Sequence, residues 1–389
     1  MIRVLEVFRE PIANGGQESY LMNMYRNIDR TRVQMDFFTP FTVDNPGLKA
    51  EIESMGGYVY AAGHTFGDKN NADFKASLQS FLKDHWYPIV HFHSGSTYAL
   101  MECSKLAHEA GIPNILVHSH CGGFDNLKYR IIKTISVPYL MKYPTRYLAC
   151  SDLAAKWKFP KKIINEHQYT VLKNAVDLDV FRFNPEWNDE IRKELNIAPE
   201  TIVVGHVGRF STQKNHAFLI DIFQALHKKH PDSILLLAGS GELQDEIRTK
   251  VHNLGLDSSV RFLGLRKDIG KLMNAMNVFV LPSFFEGLPV VGVEAQCTGL
   301  PVVTSTDVAH ELPIESLSLY LPLSDSPEQW AMEALKKARR PRVDTRSQII
   351  DAGYEVHSAA KKLEDLYVEL GEEAEMKNSA ESSLSEAKA

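Results

Sequence analysis

Short runs of apolar, β-branched residues alternate along the chain with longer amphipathic stretches, a pattern typical of parallel α/β architecture. In the first half, the pattern predicts strands at residues 2–8, 34–38, 58–61, 89–92, 114–117, 147–150 and 168–172. The rhythm restarts beyond residue 178, with strands at 202–207, 233–237, 260–262, 278–281 and 301–304. We therefore expect an α/β protein with two Rossmann-like, doubly wound domains facing a cleft, and ligands at the carboxyl ends of the strands.

The same pattern predicts the domain boundaries. The first domain is expected at residues 1–177 and the second at 178–352. A helix at 353–370 is expected to pass back and pack on the first domain. Residues 371–389 lack aromatic side chains and are rich in Glu, Ser and Ala, which predicts a disordered tail.

Composition excludes several classes of protein. The 389 residues carry a net charge of −6, so binding of nucleic acid through a global positive charge is not expected. The four cysteines are far apart and form no C-x-x-C motif, which favours a reducing compartment. The charged N-terminal segment does not resemble a secretory signal, and no uncharged apolar run approaches the roughly 18 residues of a membrane span.

The densest chemical signal lies between residues 281 and 301. The pattern predicts that a strand ends at Ser283, that Glu286 lies in the following turn, and that a helix begins near Pro289. The first N–H groups of a helix favour an anion. Glu294 lies in this helix, so two carboxylates beside an anion site could bind vicinal hydroxyls, such as those of a sugar and a ribose. The alternative is two solvated carboxylates, which the surrounding Pro and Gly residues disfavour.

A second signal follows the strand predicted at 202–207. Arg209 and Lys214 lie in the loop between this strand and the next predicted helix. Two positive side chains at a strand end are suited to hold a diphosphate. Either residue alone would be interpreted as a solvated surface side chain. The glycines at 239–241 lack the third glycine of the dinucleotide fingerprint, so we interpret them as a tight turn.

Together these motifs resemble the family-4 retaining glycosyltransferases of GT-B fold. Along residues 2–370 the chain resembles the EpsF-like branch, which builds exopolysaccharide or capsule. The matching segments are Gly15-Gly16-Gln17-Glu18, His118-Ser119-His120, Asn174-Ala175-Val176-Asp177 (where Ala175 replaces the family's Gly), the Arg209/Lys214 pair, the turn at 239–242, and Glu286-Gly287-Leu288-Pro289 with Glu294-Ala295.

The resemblance implies a role in donor binding for each matching residue. Arg209 and Lys214 would bind the diphosphate of the donor, which the amides of Gly287 and Leu288 would also approach. Glu286 would contact hydroxyls of the donor sugar.

The resemblance also implies roles for residues around the diphosphate and the sugar. Glu294 would hold the ribose hydroxyls, and Arg266 would lie near the base. His120 would be the cleft histidine beside the reacting sugar. Gly15 and Gly16 would let the backbone of the first domain approach phosphate or acceptor.

The implied activity is transfer of a hexose or N-acetylhexosamine, with retention, from a nucleotide sugar to a growing lipid-linked saccharide. By family habit the donor is UDP-linked. The catalytic set would be His120, Glu286, Arg209 and Lys214, with no cofactor and no metal, because charge stabilisation of the departing diphosphate supplies the main catalytic effect. Two other classes stay open: an epimerase or phosphorylase on the same fold, and a non-catalytic subunit of a polysaccharide assembly complex.

Two histidine pairs offer another interpretation of the first domain. His91 and His93, and likewise His118 and His120, each end a predicted strand. Alternate strand residues share a face, so four imidazoles could gather around a metal ion. We favour a single catalytic or donor-orienting histidine, because no neighbouring carboxylate or cysteine completes an obvious metal site in the sequence. Between His118 and His120, the resemblance to the family favours His120.

Asp177 and Asp179 form a D-x-D pattern, which holds a metal ion in another glycosyltransferase architecture. They lie where the predicted linker begins, and paired carboxylates are common at turns and helix starts. We interpret this pair as structural.

Residues 124–163 carry nine lysines and arginines against two aspartates, with aromatic residues interleaved. This segment predicts attachment to an anionic membrane surface or a pyrophosphate-lipid acceptor. A solvated basic face is the alternative. We therefore expect a cytoplasmic protein that associates peripherally with the inner face of the cell membrane.

Overall fold

Two parallel sheets organise the computed structural model, which describes residues 1–13, 15–64, 71–120 and 127–386. The chain divides into two compact units. The first contains Met1–Asn174 together with the chain from Val356 onward, and the second contains Ala175–Glu355. The α/β architecture with two parallel sheets is thus confirmed.

The first unit is built on a seven-stranded parallel sheet in the order β3-β2-β1-β4-β5-β6-β7. Its central strands are buried on both faces, which explains their nearly continuous apolar sequences. The strands are β1 Ile2–Phe8, β2 Val33–Phe41, β3 Val59–His64, β4 Ile89–His93, β5 Asn114–Ser119, β6 Arg146–Ala149 and β7 Thr170–Val171.

Eight helices accompany this sheet in the described ranges. They are α1 Gly16–Asn27, α2 Pro46–Ser54, α3 Asn71–Asp84, α4 Thr97–Glu109, α5 Leu127–Leu140, α6 Asp152–Lys158, α7 Lys161–Asn165 and, from the end of the chain, α15 Val356–Glu386. Helix α15 packs against α1 and against strands β1, β2 and β4. The last helix therefore belongs to the core of the first unit.

The second unit has a six-stranded parallel sheet in the order β10-β9-β8-β11-β12-β13. Its strands are β8 Ile202–Val207, β9 Ser233–Ala238, β10 Val260–Gly264, β11 Val278–Leu281, β12 Val302–Ser305 and β13 Ser318–Leu321. Its helices are α8 Pro185–Glu194, α9 His216–Lys229, α10 Gln244–Asn253, α11 Ile269–Asn274, α12 Val290–Cys297, α13 Pro327–Ala338 and α14 Arg346–Asp351. The sequence pattern missed β13, a four-residue strand at the edge of the sheet.

The C-terminal segment differs from the prediction of a disordered tail after residue 370. Helix α15 continues to Glu386 without a break. Leu370 and Ala374 are buried, and Gly371 lies so close to Ile2 that a Cβ atom there would overlap the Ile2 side chain. Packing on the first unit therefore extends the helix past the point where its composition becomes polar.

The change from one unit to the other also differs by a few residues from the predicted boundaries. The backbone N–H of Val176 donates to the carbonyl of Tyr354 at 2.8 Å, and Val176 forms a bridge with Glu355. These pairings place residues 175–177 and 353–355 in the second unit.

Helix hydrophobicity and the cysteines bear on the predicted compartment. None of the helices in the described ranges combines the length and hydrophobicity that crossing a bilayer requires. Cys103, Cys150 and Cys297 are free and buried, and Cys121 lies outside the described residues.

Candidate active site

All strands of the second sheet run parallel, so their carboxyl ends share one edge. Strand β8 leads at this edge into Arg209, and β11 leads into the loop that carries Glu286. A 3₁₀ turn at Thr212–Lys214 follows β8 and precedes helix α9. Arg209, Lys214 and Glu286 therefore follow two neighbouring strands of one sheet.

Lys214 and Glu286 contact each other directly at this edge. The Lys214 ammonium donates to Oε1 of Glu286 at 2.8 Å, and the Ser283 hydroxyl donates to the same oxygen at 2.5 Å. Only 17% of the Lys214 side chain and 9% of the Glu286 side chain are exposed. The ion pair is thus shielded from water, and in such surroundings a charge-assisted hydrogen bond is strong.

Two further hydrogen bonds hold the loops of this pair together. The backbone N–H of Phe284 donates to the carbonyl of Gln213 at 2.9 Å, and the Gln213 side-chain amide donates to the carbonyl of Phe285, also at 2.9 Å. The loop after β8 and the loop after β11 therefore form one hydrogen-bonded structure.

Glu294 lies in helix α12 and is electrostatically coupled to Lys214. Burial raises the pKa of the Glu294 carboxyl to about 7, and the nearby Lys214 only partly opposes this shift. A partly buried carboxyl with a pKa near neutrality is typical of a functional site. The carboxylate pair and Lys214 are thus one cluster within the second unit.

Helix α12 begins at Val290, one residue after the predicted start. Pro289 occupies the N-cap position, and Leu288 is buried against the core of the unit. Gly287 and Leu288 directly precede this helix start. The first N–H groups of a helix have no intrahelical acceptor, so the end of α12 is suited to an anion.

Arg209 has a partner that the sequence analysis did not identify. Its Nε donates to Oε2 of Glu242 at 3.1 Å on the surface of the unit. A Cβ atom on Gly239 would lie 2.0 Å from the carbonyl oxygen of Gly208, and Gly239 has a φ of +140°. The glycine turn thus brings Glu242 against the loop of Arg209, and the close approach of the two backbones requires glycine.

Arg266 follows strand β10 at the same edge, and its guanidinium is fully engaged. It donates to Oε1 of Glu194 at 2.8 Å, and to both carboxylate oxygens of Asp268 at 2.8 and 2.6 Å. These carboxylates raise the pKa of Arg266 above its ordinary value. The side chain braces the loop after β10, and contact with a base through it would require exchange of these partners.

The D-x-D carboxylates also have protein partners. Oδ1 of Asp177 accepts the backbone N–H groups of Asp179 and Val180, at 2.8 and 3.3 Å. The Asp179 carboxylate accepts from Arg346 at 3.1 Å. These bonds are those of a turn and a surface ion pair.

In the first unit, His118 and His120 lie at the end of strand β5. His118 is completely buried, whereas His120 is partly exposed. Nε2 of His120 lies 2.8 Å from Nδ1 of His93, the last residue of β4. Burial, followed by the neighbouring His93 and His91, holds the pKa of His120 well below its ordinary value.

Gly15 and Gly16 lie where helix α1 begins. Gly15 is the N-cap residue, and a Cβ atom there would lie 2.5 Å from the Glu18 carboxylate. Nothing lies within 4 Å of a Cβ atom on Gly16. The Glu18 carboxylate accepts the backbone N–H of Ala13 at 3.1 Å, so it folds back over the start of this helix.

The basic segment at 124–163 is only partly a surface. Lys158 is buried at 1% exposure, and Tyr143, Tyr147 and Phe159 belong to the buried core. Residues 124–126 lie outside the described part of the chain, as do the side chains of 127–130. The exposed apolar residues are different ones: Ile131, Ile135, Tyr139, Met141 and Leu153.

Comparison with known proteins identifies the family. A model described as "Glycosyl transferases group 1" matches residues 188–310, which contain the cluster around Lys214. The protein EpsF of Bacillus subtilis, named a putative glycosyltransferase, is 32% identical over 374 residues, covering 94% of this chain and 96% of that protein. The chain belongs to the glycosyl transferase group 1 family. It is a glycosyltransferase of the retaining GT-B class, as the sequence motifs predicted.

A second relative of this glycosyltransferase carries a more specific name. The UDP-Gal:alpha-D-GlcNAc-diphosphoundecaprenol alpha-1,3-galactosyltransferase of Escherichia coli is 27% identical over 308 residues, covering 76% of this chain and 78% of that protein.

Solved structures confirm the GT-B fold of this glycosyltransferase. Anabaena HepE (Alr3699) in complex with UDP-glucose has a TM-score of 0.67 at 18% identity, covering 98% of this chain and 100% of that chain. A glycosyltransferase from Rickettsia africae ESF-5 has a TM-score of 0.71 at 16% identity, covering 95% and 98% of the two chains.

Sequence reasoning missed several polar residues of the glycosyltransferase. Glu242, the partner of Arg209, follows a glycine turn that had been interpreted only as a turn. Glu6 and Tyr367 lie beside the histidines of β4. Glu6 is a single acidic residue in the largely apolar strand β1, and Tyr367 lies in the charged helix α15, so neither belongs to a local motif. One signal was available for Glu6. Alternate residues of a strand share a face, so Glu6 lies on the same face of β1 as the apolar residues Val4 and Phe8 and is expected to be buried with them.

Proposed function

We propose that this glycosyltransferase moves a hexose or N-acetylhexosamine from a UDP-sugar onto a growing lipid-linked saccharide of an exopolysaccharide or capsule. The observation that carries the proposal is the cluster of Lys214, Glu286 and Glu294 beside the start of helix α12. It combines a cation, a helix N-terminus and two carboxylates on one sheet edge. The names of the relatives, which include a UDP-galactose enzyme acting on a diphosphoundecaprenol-linked sugar, support the donor and acceptor classes.

The diphosphate of the donor is the group that this cluster suits best. Arg209 and Lys214 supply two positive charges, and the N–H groups of Gly287, Leu288 and the first turn of α12 add fixed donors. Charge accumulates on the diphosphate as the sugar leaves, so these groups stabilise the transition state more than the ground state.

The reaction is written as a substitution with retention at the anomeric carbon. The bond from this carbon to the diphosphate oxygen breaks, and a bond to the acceptor hydroxyl oxygen forms on the same face. The hydroxyl proton passes to the departing diphosphate, so no enzyme nucleophile is needed. We assign His120 to contact with the reacting sugar.

Glu286 and Glu294 are assigned to the sugar and the ribose, the two parts of the donor that carry hydroxyl groups. Glu286 is assigned to hydroxyls of the sugar and Glu294 to the ribose of the nucleotide. A carboxylate accepts hydrogen bonds through both oxygens, which fits a vicinal diol. Arg266 is assigned to the neighbourhood of the base, where its paired guanidinium supports the loop after β10.

We further propose that transfer needs no metal ion. Arg209, Lys214 and the helix N–H groups would supply the positive charge that a metal ion supplies in other enzymes. The partners of Asp177 and Asp179, namely a turn backbone and Arg346, support the structural interpretation of the D-x-D pair.

Attachment to an anionic membrane face is proposed through helix α5. Ile131, Ile135 and Tyr139 are spaced by four residues, so they lie on one face of the helix, and all three are about half exposed. Exposed Lys142 and Lys156 lie in the same segment. An apolar stripe beside basic residues is suited to a headgroup region.

Donor binding can be tested directly by calorimetry with UDP, GDP and ADP. We expect UDP to bind, and binding to weaken when Lys214 is replaced by Ala. Equal binding of all three nucleotides by the parent and by Lys214→Ala would contradict the assignment of the donor site.

A further inference from the structure

A chain of polar side chains runs through the first unit, and the proposed function uses only its last member, His120. It joins Glu6 on β1, His93 on β4 and His120 after β5, with Tyr367 of helix α15 and His91 at its other end. Glu6, His91 and His93 are at most 1% exposed. Buried polar groups must satisfy their hydrogen bonds within the protein, so the proton positions along this chain can be assigned.

Glu6 is the fixed point of the assignment. Its Oε2 lies 2.7 Å from Nε2 of His93 and 3.3 Å from Nδ1 of His91, and its Oε1 lies 2.7 Å from the Tyr367 hydroxyl. Burial alone would raise the pKa of this carboxyl, but His91 and His93 lower it to about 2. Glu6 is therefore an anion that only accepts hydrogen bonds.

The protons of its partners follow from this. Tyr367 donates its single hydroxyl proton to Glu6, so it accepts from Nδ1 of His91, at 2.6 Å. His93 must carry its proton on Nε2 in order to donate to Glu6. Burial lowers the pKa of His93 to about 4, so its ring is neutral and Nδ1 holds a lone pair.

The last bond fixes His120. Nδ1 of His93 lies 2.8 Å from Nε2 of His120 and can only accept, so His120 carries its proton on Nε2. The other ring nitrogen of His120, Nδ1, then holds a lone pair. This buried atom has no hydrogen-bond partner within the described part of the chain.

We propose that Glu6 and His93 are positioning residues for His120. The relay from Glu6 through His93 holds His120 in its Nε2–H tautomer and leaves Nδ1 as a hydrogen-bond acceptor for a hydroxyl of the reacting sugar. The identity of that hydroxyl rests on the proposed function, whereas the relay itself does not.

Metal binding by the neighbouring histidines is an alternative to the relay, and it predicts different protonation of His93. One ring nitrogen each from His91, His93 and His118 lie within 4.8 Å of one another, a grouping that could hold a metal ion. Both ring nitrogens of His93 are already bonded, to Glu6 and to His120. A metal on His93 would therefore break the relay.

The first test reads the tautomers without any assay of activity. Protein labelled with ¹⁵N at its histidine rings gives two-bond proton–nitrogen spectra that distinguish protonated from unprotonated ring nitrogens. We expect protons on Nε2 of both His93 and His120, and no change when Zn²⁺ is added. A proton on Nδ1 of His120, or stoichiometric Zn²⁺ binding that shifts His93, would overturn the relay.

The second test separates positioning from packing with two variants of one residue. The side-chain oxygen of Asn can occupy the place of Nδ1, so His93→Asn keeps an acceptor for His120, whereas His93→Leu removes it. In His93→Leu the buried Nε2–H of His120 has no acceptor, so we expect this variant to lower kcat by roughly 10- to 100-fold with unchanged affinity for UDP. His93→Asn should recover kcat to within about fivefold of the parent.

Outcomes of the two tests can be told apart. Equal loss of kcat in His93→Asn and His93→Leu, with both proteins folded by circular dichroism, would overturn the positioning role. If the parent itself transfers no sugar while the spectra show the expected tautomers, the proposed function fails and the relay stands. Glu6→Gln, which keeps the shape of the side chain and removes its charge, should shift the His93 resonances in the same spectra.

Discussion

The ammonium of Lys214 donates to Oε1 of Glu286 at 2.8 Å, so two residues assigned to different parts of the donor are bonded to each other. A buried cation without a partner is costly. The ion pair avoids this cost before a ligand arrives, and a diphosphate can replace the carboxylate as the partner of Lys214. The freed Glu286 can then accept hydrogen bonds from the sugar.

Loss of either cation should weaken binding of the diphosphate. A hydrogen bond to a charged group contributes roughly 1.5–3 kcal/mol, so Lys214→Ala should lower UDP affinity by about 10- to 100-fold. Arg209→Ala should lower it less, because 73% of that side chain is exposed. Calorimetry with UDP measures both effects.

Lys250→Ala is the matched control for this experiment. Lys250 pairs with Asp221 at 2.7 Å in the same unit but on helix α10, away from the sheet edge. UDP affinity should be unchanged in this variant. A loss equal to that of Lys214→Ala would show that the effect reflects net charge and not the site.

The raised pKa of Glu294 predicts how stability changes with pH. The folded-state pKa of about 7 lies above the usual 4.5, so the folded protein loses its proton later than the unfolded chain. Stability contributed by this group therefore falls as pH rises from about 4.5 to 7. Glu294→Gln should melt at a higher temperature than the parent at pH 8 and at about the same temperature at pH 5. Scanning calorimetry at the two pH values measures this.

The same titration predicts nucleotide binding. If the ionised carboxylate holds the ribose, UDP affinity of the parent should rise as pH increases through about 7. Glu294→Gln should bind UDP more weakly than the parent. Its UDP affinity should also lack the rise near pH 7 that ionisation of Glu294 causes in the parent. Identical pH profiles of the two proteins would remove Glu294 from the site.

Metal independence predicts that turnover survives chelation. Activity measured with EDTA should equal that with added magnesium or manganese. Asp179→Asn should also have little effect, because Asp179 pairs with Arg346 at 3.1 Å on the surface. Complete loss of activity in EDTA, restored by either ion, would contradict this prediction.

Helix α5 should control attachment to anionic vesicles. Ile135→Ser combined with Tyr139→Ser removes two exposed apolar side chains of the stripe and should reduce co-sedimentation. Binding of the parent should weaken from 0.1 to 1 M salt, where the Debye length falls from about 10 to 3 Å. Met332→Ser, an exposed apolar residue of the second unit, is the control. Co-sedimentation that changes neither with salt nor with the double substitution would refute the role of α5.

Arg342 is expected to be a major determinant of stability in the second unit. Its part-buried guanidinium donates to the carbonyls of Thr298, Met273 and Met276 at 2.9–3.1 Å, where helices α12 and α11 end. Arg342→Met leaves these acceptors without their donor and should cost roughly 1–3 kcal/mol of unfolding free energy. Arg340→Met, which removes one exposed bond to Ser316, should cost far less. Urea denaturation compares the two.

The fold and the strand–turn–helix arrangement around Glu286 were predictable because local patterns determine them. Apolar runs predict the central strands, and the Pro and Gly residues around Glu286 predict the strand–turn–helix arrangement. Contacts between residues far apart in sequence leave no such pattern. Glu6 and Tyr367 are 361 positions apart, and their bond depends on the packing of α15 against β1.

The local sequence pattern likewise does not show which charged residues of a segment are buried. Lys158 is charged in sequence and buried in the structure, because helix α6 turns it inward. The polar composition after residue 370 likewise predicted disorder, whereas Leu370 and Ala374 are held in the core of the first unit.

Sugar transfer itself is tested most directly by product analysis. The protein is incubated in EDTA with a panel of nucleotide sugars and a lipid-linked saccharide extract, and the product is isolated and its anomeric configuration determined by NMR. We predict that one UDP-sugar is consumed, that the new linkage retains the configuration of the donor, and that Lys214→Ala slows its formation. Conversion of the donor to an epimer or a sugar phosphate, an inverted linkage, or consumption of no donor would contradict the account.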